Sequence, residues 1–320
     1  MGKKNLKAQL NYAIQSCFKG NERQSGGHGA SKHSDMAAGQ KNGKIYSWSS
    51  YHSRVDVACQ FAAYVREHYS EVREVKQLTP EMAESFLLSK SGSCTTETLD
   101  CYRSNLASLS ENINRTYSTA HVDLKVGKVA GTTANQETRC KAMTDAHITA
   151  LRDSYRPGST GYTAVTLASI AGCRASEIVR LKTEHIEIKS SSLAKVFIRG
   201  GKGNRDRTIQ IHDPQDVKQL ADIKASAAAG ERLVPTKVGS IQKSLNRHMA
   251  KLSGSSGNSM KSEYQHTGIH AIRKNFAQKE YDRHRENHTR QETLDYVSAQ
   301  LGHGAGRDLA TLQRYIANIY

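Results

Sequence analysis

An apolar helix that stops at a glycine, with an arginine two residues later, is the feature that most constrains this fold. Apolar residues recur at helical spacing over residues 165–170, and the run ends at Gly172. A second short helical pattern follows, in which Ile178 and Leu181 are three residues apart. The sequence therefore places Arg174 at a junction between two buried helices, where its charge has to be matched.

Two interpretations of Arg174 are open at this point. Its guanidinium can form an internal ion pair with Glu177, which lies three residues later. Alternatively it can contact a phosphate, because a planar guanidinium donates two parallel hydrogen bonds to phosphate oxygens. The ion pair is the simpler interpretation of this stretch alone, so the choice depends on the rest of the chain.

The charge of the chain favours a polyanionic partner. Its 320 residues suffice for two domains, and 46 Lys and Arg against 30 Asp and Glu give a formal net charge of +16. This balance indicates binding to nucleic acid or to an anionic membrane surface. No apolar run approaches the ~18 residues of a membrane span, and no signal peptide begins the chain. We therefore expect a soluble, cytoplasmic protein.

The cysteine and histidine patterns predict neither a disulfide framework nor a metal site. The six cysteines are dispersed without a CxxC pair, which is typical of reduced structural thiols. The pairs His266/His270 and His284/His288 have the i, i+4 spacing of helical ligands, but neither belongs to an H-E-x-x-H pattern. The phosphate-binding loop G-x-x-x-x-G-K-[ST] is absent as well, so we expect no metal and no other cofactor.

Composition and periodicity divide the chain into four segments. Residues 1–46 are rich in Gly, Ser, Lys and His and predict a basic flexible arm, with a short helix within 6–18. This arm is either an additional nucleic-acid contact or a solvated tail. Residues 47–125 show three helical patterns and predict a small helical domain. A basic linker rich in Gly and Thr follows over 126–142, and a larger second domain spans 143–320.

The second domain is predicted to be mainly α with a small antiparallel β-sheet. Alternating apolar and polar residues predict strands over 194–199 and 207–211. The Gly-rich residues 200–204 between them predict the turn of a β-hairpin. Helical patterns then return over 214–225 and 239–252.

Further polar residues in this domain fit the surroundings of a single phosphate together with Arg174. They comprise a lysine at a glycine-flanked hairpin tip, a His/Arg pair on one helix face, a histidine at a glycine turn and a tyrosine near the C-terminus. Each of these features is individually unspecific, but in combination they fit one chemistry. The residues are Lys202, His270, Arg273, His303 and Tyr315.

Five stretches of the chain resemble, in order, the signature boxes of the tyrosine recombinases, the phage-integrase family. They are AGCRASEIVRL, GGKGNRDRTI, HAIRKNFA, LGH and QRYI. A further stretch, TTETLDCYRSNLASL, resembles the core-binding domain of that family. The resemblance covers nearly everything beyond about residue 47. It implies a two-domain DNA clamp, with 47–125 as the DNA-binding domain and 143–320 as the catalytic domain.

The resemblance also implies how these residues would cleave a DNA strand. Tyr315 would attack a scissile phosphodiester, form a 3′-phosphotyrosyl bond and release a 5′-hydroxyl. Arg174 and Arg273 would hold the non-bridging oxygens and stabilise the charge that develops in the transition state. Lys202 would act as general acid for the departing 5′-oxygen. Glu177 would be a structural partner that orients the Arg174 region.

The histidines would assist the nucleophile and the phosphate. His270 would take the tyrosine proton or hold the phosphate, and His303 would donate a hydrogen bond to the phosphate. A tyrosine has a reference pKa of ~10, so it needs cationic surroundings to act as a nucleophile. Tyr315 is the preferred nucleophile. Because the interval between His303 and Tyr315 is longer than in most relatives, Tyr296 and Tyr320 are the alternatives.

The function implied by the resemblance is site-specific DNA recombination, as by the integrase of a phage or other mobile element. A covalent intermediate conserves the bond energy of the phosphodiester, so the reaction needs neither ATP nor metal. The alternatives are a type IB topoisomerase, which shares this chemistry, and a catalytically silent DNA-binding regulator. The implied partners are a specific double-stranded DNA site, a homotetramer on synapsed DNA and accessory DNA-bending proteins. A bacterial cytoplasm is the expected location, at the nucleoid when the protein is bound to DNA.

Overall fold

The computed structural model describes residues 5–19, 35, 37–39, 43–132, 141–201, 206–265, 267–303 and 309–320. It divides into two compact units, Met1–Ala134 and Asn135–Tyr320. Each unit has its own hydrophobic core of buried aliphatic and aromatic side chains. The division falls inside the segment 126–142 that the sequence predicts as a linker. No helix in the described ranges is both long and apolar enough to cross a bilayer.

The first unit consists mainly of helices in its described part. These are α1 Leu6–Ser16, α2 Trp48–His68, α3 Pro80–Ser89 and α4 Thr96–Thr116. Helix α3 begins as its sequence predicts, because the Thr79 hydroxyl accepts a hydrogen bond from the Met82 backbone N–H and Pro80 occupies the first helical position. Phe61 and Phe86 pack in the core of this unit with ring centroids 5.4 Å apart.

Helix α1 lies where the sequence predicts a short helix within the arm of residues 1–46, and it is packed rather than solvated. Leu10 and Ile14 lie four residues apart on one face of α1, and neither exposes any surface. This face packs against α2 and α4, because burying apolar side chains favours a docked helix over a solvated one. Ile45 is buried in the same core. Residues 20–34 of the predicted arm lie outside the described residues.

The second unit is mainly helical with a three-stranded antiparallel sheet of order β1-β2-β3, which confirms the predicted fold class. Its described strands are β1 Ile186–Ser190, β2 Leu193–Ile198 and β3 Arg207–Ile211. Its described helices are α5 Asp145–Asp153, α6 Thr160–Ala171, α7 Ala175–Ile178, α8 Pro214–Ala225, α9 Val238–Met249, α10 Met260–Glu263, α11 Gly268–Arg285, α12 Arg290–Gln300 and α13 Leu309–Leu312.

The sheet contains one strand more than the predicted hairpin. Strands β2 and β3 pair with Val196 opposite Ile209, and both side chains are fully buried. Strand β1 pairs with the other edge of β2, where Ile186 lies opposite Val196. Ile186 is the only buried residue of β1. A five-residue strand with one buried side chain carries too little alternation to be recognised from sequence.

Helix α6 lies in the core of the second unit and ends where the sequence predicts. Gly172 follows it with φ 54° and ψ 28°, the left-handed conformation that glycine adopts readily at a helix end. A Cβ atom at this position would collide with the ring of Phe276 on α11. The chain therefore turns sharply at Gly172 and places Arg174 immediately before α7.

Candidate active site

A cleft of about 440 Å³ in the second unit brings together four of the six predicted site residues. Arg174, His270, Arg273 and Tyr315 line it. The first turn of α11 and one face of α9 form most of the remaining wall. Residues that lie up to 141 positions apart in the chain therefore share one concave surface (Arg174 to Tyr315).

The position of Arg174 is compatible with both interpretations of its sequence, an internal ion pair and a contact with a phosphate. Its Nη1 donates a hydrogen bond to Glu177 Oε1 at 2.8 Å, which is the expected internal ion pair. Its Nη2 donates to the Leu301 carbonyl at 3.1 Å and lies 3.5 Å from His303 Nε2. The side chain still exposes 16% of its surface and lines the cleft. The ion pair thus fixes the guanidinium in a position from which it can contact a bound anion.

Arg273 projects from α11 into the base of the cleft and is fully buried. Its two terminal nitrogens donate to the carbonyls of Gly172 and Leu301. Its Nε has no hydrogen-bond partner among the described residues. Burial, followed by repulsion from neighbouring guanidiniums, lowers the pKa of Arg273 to about 10. The group is therefore charged at neutral pH but incompletely compensated, as suits a contact with an anion.

Tyr315 is surrounded by three of the predicted residues. The ring of His270 crosses it at 71° with centroids 5.1 Å apart, and the ring of His303 lies 5.0 Å away. The Arg273 guanidinium lies 5.6 Å from the Tyr315 ring centroid. His303 reaches this position because Gly302 turns the chain with φ 68° after α12. Tyr315 therefore lies against two imidazoles and a guanidinium, beside the cleft that Arg174 also lines.

The other two candidate tyrosines are engaged elsewhere. The Tyr296 hydroxyl donates to Glu280 Oε2 at 3.1 Å, and burial together with Glu280 raises the pKa of Tyr296 to about 12. The Tyr320 hydroxyl donates to Asp282 at 3.4 Å. Of the three tyrosines, Tyr315 is the one that lines the cleft.

Glu177 is held by more groups than the sequence indicates. Its carboxylate accepts hydrogen bonds from the backbone N–H and the Nη1 of Arg174, both at 2.8 Å. It also accepts two from Arg207, and Nη1 of Arg273 lies 4.0 Å away. Burial alone would raise the pKa of Glu177, but the hydrogen bonds and charge of these partners lower it to about 2. The carboxylate is therefore ionised in the folded protein at neutral pH.

Arg207 is the residue of this region that sequence reasoning missed. It lies at the start of β3 and is almost fully buried, and its Nη1 and Nη2 meet the two oxygens of Glu177 at 2.9 and 2.8 Å. Its Nε donates to the Gln300 carbonyl at 2.8 Å. Position 207 belongs to the stretch GGKGNRDRTI, so the resemblance contained it without assigning it a role.

Lys202 lies outside the described residues, and its role as general acid stays a prediction. The described loop ends, Gly200 and Asp206, are joined by a hydrogen bond of 2.7 Å from the Gly200 backbone N–H to Asp206 Oδ1. This bond lies between the ends of β2 and β3, at the position predicted for the hairpin turn. Within the described ranges, no group of three or more His, Cys, Asp and Glu side chains has a metal-binding arrangement.

Solved structures with the same fold cover nearly the whole chain. XerH site-specific recombinase bound to a palindromic difH substrate, in a post-cleavage complex, superposes with a TM-score of 0.61 at 14% identity, over 97% of this chain and 90% of that one. A lambda integrase dimer bound to a COC′ core site superposes with a TM-score of 0.58 at 13% identity, over 98% of this chain and 77% of that one. The chain has the tyrosine recombinase fold.

A transposon enzyme with this fold matches over a similar length. The Tn1549 transposon integrase in complex with circular intermediate DNA gives a TM-score of 0.51 at 12% identity, over 98% of this chain and 96% of that one. No protein-family model matches the sequence, and no curated protein matches it. At such low identity the structural similarity establishes the tyrosine recombinase fold only. The chemistry depends on the side chains in the cleft.

Proposed function

We propose that this protein is a site-specific DNA recombinase that cleaves and rejoins strands through a 3′-phosphotyrosyl intermediate at Tyr315. The observation that carries the proposal is the surroundings of Tyr315, where two imidazoles and a buried guanidinium lie around one phenol ring. The tyrosine recombinase fold supports it further. In this proposal the second unit is the catalytic domain, and residues 47–125 are a DNA-binding domain.

The reaction balances without a cofactor. The Tyr315 oxygen forms a bond to phosphorus while the bond from phosphorus to the 5′-oxygen breaks, so one phosphodiester replaces another. His270 takes the phenolic proton, and Lys202 gives a proton to the departing 5′-oxygen. Arg174 and Arg273 bind the non-bridging oxygens, where removal of one such donor typically costs ~10²–10³-fold in rate. Attack by a 5′-hydroxyl reverses the steps and joins the strands.

Double-stranded DNA is the proposed substrate. A net charge of +16 suits a polyanion, and neighbours of the same fold are complexes with difH, core-site and circular-intermediate DNA. A lambda integrase tetramer is bound to a Holliday junction, so we propose a homotetramer on synapsed DNA here too. Accessory DNA-bending proteins, an origin in a phage or other mobile element and a bacterial nucleoid location belong to the same proposal.

The test uses a DNA pool because the target site is not fixed by these residues. Duplexes of randomised sequence are incubated with the protein and denatured in SDS, and the strands that remain linked to protein are captured and sequenced. We expect a recurrent sequence, and mass spectrometry of the adduct should find the nucleotide on Tyr315. Tyr315→Phe should give no adduct, whereas the matched variants Tyr296→Phe and Tyr320→Phe should retain it.

The outcomes separate the alternatives. Exchange of strands between two labelled duplexes supports a recombinase, whereas relaxation of supercoiled plasmid without exchange supports a type IB topoisomerase. Specific binding with no covalent adduct would instead identify a catalytically silent regulator and overturn the proposal. Binding itself should weaken steeply as salt rises, because phosphate contacts release counterions.

A further inference from the structure

Arg207 connects three parts of the candidate site without lining the cleft. Both terminal nitrogens bond to Glu177, which in turn holds the backbone N–H and the guanidinium of Arg174. Its Nε bonds to the carbonyl of Gln300, the last residue of α12. Through these contacts, strand β3 is tied to the segment that presents Arg174 and to the turn that presents His303.

The turn after α12 is shaped around Arg207. A Cβ atom added to Gly302 would lie 3.0 Å from Arg207 Nη1 and 3.1 Å from its Cδ, so the side chain packs directly against this glycine. The preceding carbonyl, that of Leu301, accepts hydrogen bonds from both Arg174 and Arg273. If Arg207 were removed, Arg174 and Arg273 would be the only described arginines that still hold the Gln300–Gly302 turn.

Arg207 also determines how Glu177 divides its hydrogen bonds. Each carboxylate oxygen of Glu177 receives one bond from Arg207 and one from Arg174. Without Arg207, a buried carboxylate would have to find its partners among Arg174 and Arg273, since Nη1 of Arg273 is only 4.0 Å away. Both guanidiniums would then turn toward Glu177 and away from an anion in the cleft.

We propose that Arg207 is a positioning residue for strand cleavage, which fixes Glu177 and the Gln300–Gly302 turn so that Arg174, Arg273 and His303 face the scissile phosphate. The proposal rests on the proposed function, because it assumes that these groups stabilise a phosphate in transit. It assigns Arg207 no contact with DNA. We expect a loss like that seen when a group that orients metal ligands is removed, roughly 10–100-fold in activity.

The test compares two forms of the captured site, one with an ordinary scissile phosphodiester and one with a methylphosphonate at that position. A methylphosphonate lacks one charged non-bridging oxygen, so cleaving it depends less on the arginines that stabilise that charge. We expect Arg207→Met to slow single-turnover cleavage of the phosphodiester by roughly 10–100-fold and to slow cleavage of the methylphosphonate much less. DNA binding should stay near that of the unmodified protein.

Four further variants complete the design. Arg174→Ala should show the same selectivity for the methylphosphonate. The double variant should lose less than the product of the two single losses, because Arg207 acts in part through Arg174. Arg207→Lys should recover part of the rate, since it keeps a charge beside Glu177. Arg290→Met removes an exposed arginine from the start of α12 and should cleave both substrates at the rate of the unmodified protein.

The results that overturn the inference differ from those that overturn the function. Equal slowing of both substrates by Arg207→Met, or no slowing of either, contradicts the positioning role. If the Met variant fails to fold, the same comparison is made with Arg207→Lys, for which a smaller but equally selective loss is expected. A failure of the unmodified protein to form any adduct contradicts the proposed function instead.

Discussion

Replacing Glu177 with Gln removes the negative charge that three guanidiniums surround. Gln keeps the volume of the side chain, but one of its acceptor oxygens becomes an amide group that donates. That group then faces the donors of Arg174 or Arg207, and their buried charges lose their counterion. We expect the variant to fold less stably and to position the cleft arginines poorly.

The magnitude follows from the pKa of Glu177. Although burial would raise it, the hydrogen bonds and charge of Arg207, with those of Arg174 and Arg273, lower the pKa from 4.5 to about 2. At about 1.4 kcal/mol for each pKa unit, the ionised carboxylate contributes about 3 kcal/mol to the free energy of unfolding. Because the pKa is lower in the folded state, this contribution is present in full above pH 4.5 and is lost as the pH falls to about 2.

Urea unfolding followed by circular dichroism measures this contribution at neutral pH, near pH 5 and at about pH 3. The unfolding free energy of Glu177→Gln should lie about 3 kcal/mol below that of the unmodified protein at the two higher pH values. The gap should narrow at the lowest pH. Glu286→Gln, at an exposed position just after α11, should show no such gap. A gap that is independent of pH, or below about 1 kcal/mol at neutral pH, would refute the assignment of Glu177 as the shared counterion.

Other predictions concern the chemistry and the reading of DNA. Arg174→Ala should slow adduct formation by ~10²–10³-fold and leave DNA binding nearly unchanged in a gel-shift assay; loss of the fold by circular dichroism would make this residue purely structural. Lys202→Ala should fail on a phosphodiester and recover on a duplex with a 5′-bridging sulfur, because a thiolate leaves without a general acid; equal failure on both would remove Lys202 from that role. Gln242→Ala and Asn246→Ala, four residues apart on the cleft face of α9, should each lower discrimination against base-substituted sites by about 1–3 kcal/mol. A uniform loss across all sequences would assign these carboxamides to the DNA backbone.

The parts of this fold that the sequence predicts are those set by local chemistry. The helix end at Gly172 follows from a glycine after an apolar run, and the start of α3 follows from Thr79 and Pro80. Helix α1 had an equally clear apolar face, but the Gly- and Ser-rich residues after it suggested an arm for the whole of 1–46. The apolar face predicted the short helix, but it did not indicate the two helices of the first unit against which α1 packs.

The candidate site residues and the pairing of Arg174 with Glu177 could be named from the sequence, but the second partner of Glu177, Arg207, could not. Arg174, Arg273 and Tyr315 were predicted because their side chains fit one phosphate and because they belong to motifs in the order found in tyrosine recombinases. The pairing of Arg207 with Glu177 joins residues 30 positions apart, and a strand pattern indicates which side chains are buried but not what they meet. One signal for a second partner of Glu177 was available, because a buried carboxylate rarely has only one hydrogen-bonding partner.

The charge distribution explains why a buried arginine outside the cleft belongs to this site. Three guanidiniums around one carboxylate leave an excess of positive charge, and repulsion among them contributes to the lowered pKa of Arg273. An anion in the cleft relieves that repulsion, and an anion of higher charge relieves it more. In the proposed reaction, the non-bridging oxygens of a phosphodiester gain negative charge as Tyr315 attacks. The relief would then be greatest at the transition state, which is the condition for catalysis. This greater relief of repulsion in the transition state requires that Arg207 stays bound to Glu177. Without Arg207, Glu177 would draw Arg174 and Arg273 toward itself.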